Sequence, residues 1–145
     1  MASATIKVSR SRADSNPRPN SERAAPLGAL SATTSQRGRA VIISVAGEVD
    51  ASNERDWRYL LAEMAAIAAV PGRVVVDVRD LDFMGCCAYA ALAREAERCR
   101  RRGLTLCLVS QDPIVARIVA ACGLRWLLPM YPTTEAALGI KGETV

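Results

Sequence analysis

The sequence predicts an α/β fold in which helices cover a central mixed or mainly parallel β-sheet. Two observations predict it. Short β-branched runs alternate with longer segments whose apolar residues recur every three or four positions. In addition, 50% of the 145 residues are hydrophobic, which is too many for a wholly disordered chain and suits one domain with one core. The order of elements predicts a sheet of about five strands and about four helices.

The first predicted elements are a short edge strand, a buried strand and a helix. The run AVIISVA is short and β-branched, which is typical of a buried strand. The segment after it has apolar residues with the spacing of one buried helix face: Trp57, Leu60, Leu61, Met64, Ile67 and Ala68. In order, the elements are a strand over Leu30–Ser35, a turn at residues 36–38, a strand over Ala40–Ala46, a turn at residues 47–50, and a helix capped by Ser52 or Asn53 that ends before Pro71-Gly72.

The second half alternates strands and helices. Three consecutive valines indicate a strand buried on both faces. Gly103 stands where a helix C-cap belongs, and Asp112-Pro113 is typical of a helix start. In order, the elements are a strand over Arg73–Arg79, a loop over Asp80–Cys87, a helix to about Arg102, a strand over Leu104–Val109, a helix from Asp112 to Gly123, a strand over Trp126–Tyr131, and a helix from Thr133 to Leu138.

The basic charge of the chain is concentrated at its N-terminus. Residues 1–39 carry a net charge of +5, whereas residues 40–145 carry −1. The Pro-, Ser- and Arg-rich composition predicts a disordered basic tail over residues 1–28, a folded domain over residues 29–140 and a short tail over residues 141–145. We expect deletion of residues 1–28 to leave the fold intact. A solvated tail is favoured over an arm that binds nucleic acid. No membrane partner is expected, because no apolar run approaches the roughly 20 residues that span a bilayer, and we expect a cytoplasmic protein.

The residue inventory excludes several enzyme classes. The chain has no histidine, which removes Ser-His-Asp triads, Cys-His pairs and His-ligated zinc. Its five cysteines contain no C-x-x-C pair, and neither Cys86 nor Cys87 is followed by the C-x5-R spacing of cysteine phosphatases. The protein is therefore predicted to be no enzyme and to need no metal or cofactor. A small cysteine-dependent enzyme remains the alternative from another functional class.

The most informative segment is DLDFMGCCAYAAL, in which a strand leads through a loop into a helix. Sites in α/β proteins gather where the carboxyl ends of strands meet the amino ends of helices. Cys86 and Cys87 are predicted at such a helix start, where the helix dipole favours a thiolate. The alternative is that both are small residues selected for packing.

Four blocks in register resemble the STAS domain family. They are VIISVAGEVDAS, RVVVDVRDLDFMGCCAYAAL, GLTLCLVSQDPIVARIVAACGL and WLLPMYPTTEAAL, which together extend over about three quarters of the chain. The resemblance implies a STAS-like fold. It also implies a free-standing anti-sigma factor antagonist, which binds an anti-sigma factor, usually a GHKL-type serine kinase, and so releases a sigma factor. In the family, phosphorylation of a serine in an Asp-Ser-Ser-Gly loop prevents this binding.

The resemblance also implies the site residues. The partner-binding residues are expected to be Glu48, Asp50, Met84, Gly85, Cys86, Cys87 and Tyr89. Cys86 stands at the phosphoserine position, where a thiol is no ordinary kinase substrate. Binding is then either permanent, controlled by thiol oxidation, or lost together with this class of partner.

Control by a disulfide would require a second cysteine near the loop. Cys122 ends a helix at the position of the family's Thr-Gly-Leu motif, so a disulfide of Cys86 or Cys87 with Cys122 is the pairing considered. Cys99, in the middle of a helix, and Cys107, in an apolar strand, are predicted to be structural.

Overall fold

A computed structural model describes residues 3–8 and 30–139, and it contains one six-stranded sheet with four α-helices. The strands and helices are β1 Ser3–Val8, β2 Leu30–Arg37, β3 Ala40–Val49, α1 Glu54–Ile67, β4 Gly72–Met84, α2 Cys86–Arg101, β5 Leu104–Val109, α3 Pro113–Ala121, β6 Met130–Tyr131 and α4 Thr134–Leu138. A short 3-10 turn, Ala51–Asn53, precedes α1.

The sheet is mixed, and its spatial order follows the chain from β1 to β6. β1, β2 and β3 pair antiparallel, whereas β3, β4, β5 and β6 pair parallel. The parallel pairs are joined by crossovers through helices, as parallel pairing requires. The carboxyl ends of β3, β4 and β5 consequently lie at one edge of the sheet, and their amino ends lie at the opposite edge.

The two faces of the sheet are covered unequally. Side chains from α1, α2 and α3 form the large core with β2 to β5, and Trp57 of α1 is its largest fully buried residue. The Trp57 indole N–H donates to the carbonyl oxygen of Ala88 at 3.2 Å, which ties α1 to the first turn of α2. Ile67, which the sequence places on the buried face of α1, is instead exposed at the end of that helix. On the other face of the sheet, α4 packs in a small cluster that includes Ile42, Val75 and Ala137. The predicted α/β fold with a mixed sheet, five strands and four helices is confirmed, with β1 as an additional strand.

The expectation of a loop over Asp80–Cys87 is wrong for its first half. β4 continues to Met84, and β3 continues beside it to Val49. A register shift interrupts the pairing after Asp77, whose buried carboxylate accepts hydrogen bonds from the backbone and guanidinium of Arg79. Such a bulge lets a strand continue past an irregular pair. The break in the sequence pattern therefore marks a bulge within the strand.

The predicted strand over Trp126–Tyr131 is reduced to two residues, Met130 and Tyr131. The preceding residues form a turn, in which the backbone N–H groups of Leu127 and Leu128 donate to the carbonyl of Leu124. Leu128 is nevertheless fully buried. Its apolar character thus reflects core packing in a turn, which a run of apolar residues does not distinguish from a strand.

The predicted absence of regular structure in residues 1–28 is wrong at Ser3–Val8. This segment is β1, which pairs with β2 from Ser3 opposite Ser35 to Val8 opposite Leu30. β1 thereby supplies hydrogen-bond partners to the backbone groups along the outer edge of β2. Deleting residues 1–28 would remove this strand, so we no longer expect the deletion to leave the sheet unchanged. The rest of that predicted tail, and the one over residues 141–145, lie outside the described residues.

Candidate functional site

The predicted site residues meet at the carboxyl edge of the sheet. Val49 pairs with Met84 where β3 and β4 end, and the backbone N–H of Gly85 donates to the carbonyl of Val49 at 2.9 Å. This hydrogen bond places the turn after β3 directly beside the start of α2. As the sequence predicts, Glu48 and Asp50 therefore lie close to the loop–helix junction.

The turn that carries Glu48 and Asp50 is held by its own polar side chains. Asp50 accepts a hydrogen bond from the backbone N–H of Ser52 at 2.9 Å. The buried Asn53 accepts from the backbone N–H of Asp50 at 3.0 Å and donates to the carbonyl of Glu48 at 2.9 Å. Asp50 thus caps the 3-10 turn, whereas Asn53 occupies the predicted N-cap position of α1 without a side-chain capping hydrogen bond to that helix. The Asp50 carboxylate shapes the turn, and the residue is half-buried.

Gly85 caps α2 without a side chain. Its backbone is extended, with φ of −79°, so the conformation itself does not require glycine. A Cβ there would lie 3.3 Å from the Phe83 ring and 3.5 Å from the carbonyl oxygen of Val49. The helix start therefore lacks the side-chain hydrogen bond that an aspartate or serine would supply.

The two adjacent cysteines differ in their exposure to solvent. Cys86 is exposed, whereas Cys87 is half-buried. Burial first, and then the nearby carboxylate of Glu54, raise the pKa of the Cys87 thiol above its usual value. The expectation that the helix start favours a thiolate is thus wrong for Cys87, because burial and the neighbouring carboxylate disfavour the anion.

The remaining cysteines also differ in environment. Cys122 is exposed at the end of α3. Cys99 and Cys107 are buried, as predicted for structural residues, and burial raises the pKa of Cys99 to about 11. All five thiols are free.

Tyr89, a residue expected at the partner surface, is nearly buried, with only 6% of its surface accessible. Burial chiefly raises the pKa of its hydroxyl, and the charges of Asp112 and Cys122 raise it further. The two ends of α3 that carry Asp112 and Cys122 are therefore close enough to Tyr89 for their charges to act on it.

A groove of about 480 Å³ runs beside the start of α2, between the end of β4 and α3. Two of its lining side chains, Phe83 and Ile114, are large, apolar and more than half exposed, at 53% and 57%. The exposed carboxylates of Asp82 and Asp112 also line it. An exposed apolar patch with a polar rim is typical of a protein-binding surface.

Sequence reasoning missed Phe83 and Ile114 as surface residues. Leu81 and Met84 pack against the core, whereas Phe83 between them is exposed, because the pairing of β3 with β4 is irregular there. Ile114 belongs to the apolar run of α3, but Val115 and Val119 are the residues of this run that are buried in the core. The position of Ile114, one residue before the buried pair Val115 and Val119, is the only local signal that places it at the margin of the buried face.

Thiol labelling should follow these environments. With iodoacetamide at pH 8 we expect Cys86 and Cys122 to react first and Cys87 more slowly, because its thiol is half-buried and its pKa is raised. Cys99 and Cys107 should react only after unfolding. Mass spectrometry of timed samples measures the order, and labelling of native Cys99 as fast as Cys86 would contradict it.

Within residues 3–8 and 30–139, no three metal-ligating His, Cys, Asp or Glu side chains lie together, and no helix is both long and apolar enough to cross a membrane.

Comparison with known proteins identifies the family. The model for the STAS domain matches residues 31–137. A Mycobacterium tuberculosis protein named "Putative anti-anti-sigma factor Rv2638" is 56% identical over 114 residues, which cover 79% of this chain and 77% of the relative. The anti-sigma-F factor antagonist RsfA of the same species is 54% identical over 110 residues, which cover 76% of this chain and 86% of RsfA.

Solved structures show the same fold. An anti-sigma factor antagonist from Mycobacterium paratuberculosis superposes with a TM-score of 0.67 at 23% identity, covering 76% of this chain and 92% of that one. The unphosphorylated form of the anti-sigma factor antagonist SpoIIAA superposes with a TM-score of 0.59 at 18% identity, covering 79% and 99%. The sequence blocks, the mixed sheet and these matches together place the chain in the STAS domain family.

Proposed function

We propose that the protein is an anti-sigma factor antagonist, which binds an anti-sigma factor and thereby releases a sigma factor for transcription. The observation that carries the proposal is the surface at the start of α2. There the exposed side chains of Phe83, Ile114 and Cys86 lie beside the acidic turn of Glu48 and Asp50. The names of the relatives at 54–56% identity support the same function. The protein acts by binding, without catalysis or a cofactor.

The charge of this surface indicates the chemistry of its partner. Asp82 and Asp112 line the apolar groove together with Arg79, whose charge is paired with that of Asp77, and Glu48 and Asp50 lie at the neighbouring turn. A partner with a basic patch around an apolar contact would complement it, because opposite charges at the rim of an interface accelerate association. We assign this partner to the anti-sigma factors of the GHKL kinase type. We also place the protein in the cytoplasm, where sigma factors act, and assign it neither a nucleic-acid nor a membrane partner.

Asp82→Lys tests the electrostatic part of the proposal. Asp82 is exposed and forms no side-chain hydrogen bond or ion pair with another described residue. The substitution therefore reverses one surface charge without removing a helix-capping hydrogen bond. We expect association with the anti-sigma factor to slow by roughly tenfold at low salt, with dissociation nearly unchanged. Glu63→Lys, the same charge change at an exposed position of α1, is the control. Equal effects of the two changes in stopped-flow kinetics would contradict the assignment.

Control by phosphorylation of a serine is replaced, we propose, by oxidation of Cys86 together with Cys122. Both thiols are exposed, and the charge of Cys122 acts on Tyr89, which follows Cys86 by three residues; these observations support the pairing. Hydrogen peroxide would oxidise one thiol to a sulfenic acid and release water. The second thiol would then displace hydroxide, which leaves as water, to form the disulfide. Because Cys86 belongs to the binding surface, a bond from it to α3 would block or distort that surface.

The redox step is tested on the full chain with three proteins: the parent, Cys86→Ser and Cys122→Ser. After mild peroxide treatment the parent should lose the mass of two hydrogens and bind the anti-sigma factor more weakly, and a reductant should restore binding. Both serine variants should bind equally before and after treatment. Unchanged binding by the oxidised parent would leave constitutive binding as the account, whereas failure of the reduced parent to bind any anti-sigma factor of its host would contradict the proposed function itself.

A further inference from the structure

A second cavity lies at the opposite edge of the sheet, where the parallel strands begin. Its volume is about 540 Å³, and three arginines line it: Arg37 at the end of β2, Arg39 in the following turn and Arg73 near the start of β4. None of its described lining residues is acidic. The volume lies within the range of small-molecule sites.

The strand register brings two of these arginines onto one face. Arg37 pairs with Ala40, Ala40 pairs with Arg73, and Arg73 pairs with Thr105, across four neighbouring strands. Directly paired residues of adjacent strands point to the same side of a sheet. Arg37 and Arg73 therefore lie on the same face of the sheet, with the small side chain of Ala40 between them. Thr105 follows Arg73 on the next strand and adds a hydroxyl group to this face.

Two of the guanidinium groups are oriented by carbonyl oxygens. Arg39 donates from Nε to the carbonyl of Pro71 at 2.7 Å and from Nη2 to that of Val70 at 3.0 Å, and Arg73 donates from Nη1 to the carbonyl of Ala137. Carbonyls fix the direction of these groups without neutralising their charge, and further N–H donors stay available on each. Among the described residues, no carboxylate forms an ion pair with Arg37, Arg39 or Arg73.

The backbone beside the arginines is closely packed. A Cβ at Gly72 would lie only 2.3 Å from the carbonyl oxygen of Ala69 and 2.4 Å from that of Arg39. The starts of β3 and β4 consequently approach each other as closely as glycine allows. Arg39 and Arg73 are thus held on a tightly packed wall, and ordering these two for a ligand costs less than ordering free surface side chains.

We propose that this cavity binds the phosphate group of a small phosphorylated molecule. Guanidinium groups recognise phosphate through paired, charge-assisted hydrogen bonds, and three of them line one open cavity whose described lining residues include no carboxylate. Because the cavity lies at the opposite edge of the sheet from the start of α2, a ligand and a protein partner can be bound at the same time.

The test titrates inorganic phosphate into the full-length ¹⁵N-labelled protein at constant ionic strength, observed by NMR. We expect saturable shifts at the backbone amides of Gly72, Gly103 and Thr105, with little change around Cys86. Arg37→Gln removes one guanidinium for which the described residues supply no hydrogen bond, and it should weaken phosphate binding roughly five- to tenfold. Arg117→Gln, on the exposed side of α3, makes the same charge change elsewhere and should leave binding unchanged.

Two results would overturn the proposal. The first is the absence of saturable shifts in the parent and in Arg37→Gln alike. The second is an equal loss of binding in Arg117→Gln, which would show general charge screening. Neither of these results bears on anti-sigma factor binding, which is measured separately.

Discussion

Phe83→Ala is expected to weaken binding to the anti-sigma factor by at least about thirtyfold, or about 2 kcal/mol, the threshold of an interface hot spot. The ring is 53% exposed at the groove beside α2, so the isolated protein gains little stability from it. A partner that covers the groove would bury the ring and remove its apolar surface from water. Isothermal titration calorimetry with the purified anti-sigma factor measures the loss.

Tyr59→Ala is the matched control for this change. Tyr59 is an aromatic residue on α1, and 67% of its surface is exposed. Its truncation should leave the affinity unchanged, and circular dichroism should show that both variants keep the fold. If Phe83→Ala binds as tightly as the parent, the groove is not part of the binding surface.

Trp57→Ala should cost about 3–5 kcal/mol of unfolding free energy, the usual range for truncating a buried aromatic residue. The side chain is fully buried, and its indole N–H donates to Ala88 in the first turn of α2. Removal leaves a cavity between α1 and α2 and takes away that hydrogen bond. Because natural domains are stable by only about 5–15 kcal/mol, the variant should be close to unfolding.

The second tryptophan of the chain is the control for stability. Trp126 is 67% exposed, and its ring stacks on the guanidinium of Arg100 at 5.4 Å. Trp126→Ala should therefore cost no more than about 1 kcal/mol, the size of an exposed cation–π contact. Urea denaturation measures both variants, and equal losses would contradict the assignment of Trp57 as the central core residue.

Most of the fold could be predicted because its elements carry local signals. The valine run of β4 and the Asp112-Pro113 start of α3 both appear where the sequence places them. The strand β1 could not be predicted, because six residues in a polar, proline-rich region become a strand only when β2 offers an open edge. The bulge in β4 likewise depends on the partner strand β3.

The candidate site was predicted at the level of its loop but not of its individual side chains. The order of elements brings Glu48, Asp50 and Cys86 to one edge, and this follows from parallel pairing alone. That Tyr89 is buried and Cys86 exposed depends on the tertiary packing around the start of α2, which no local pattern records. The cavity lined by Arg37, Arg39 and Arg73 could not be predicted either. Strand pairing brings Arg73 beside the other two arginines, and it lies too far from them in the sequence to form a recognisable motif.

The central claim is that the start of α2, with the adjoining turn and groove, binds an anti-sigma factor. Its most direct test is an NMR titration of the ¹⁵N-labelled, reduced full-length protein with the purified anti-sigma factors of its host. The account predicts that at least one of them binds and perturbs the amides of Glu48, Phe83, Gly85 and Cys86, while Gly38 and Gly103 at the opposite edge stay unchanged. Perturbation confined to that opposite edge, or no binding to any anti-sigma factor of the host, would contradict it.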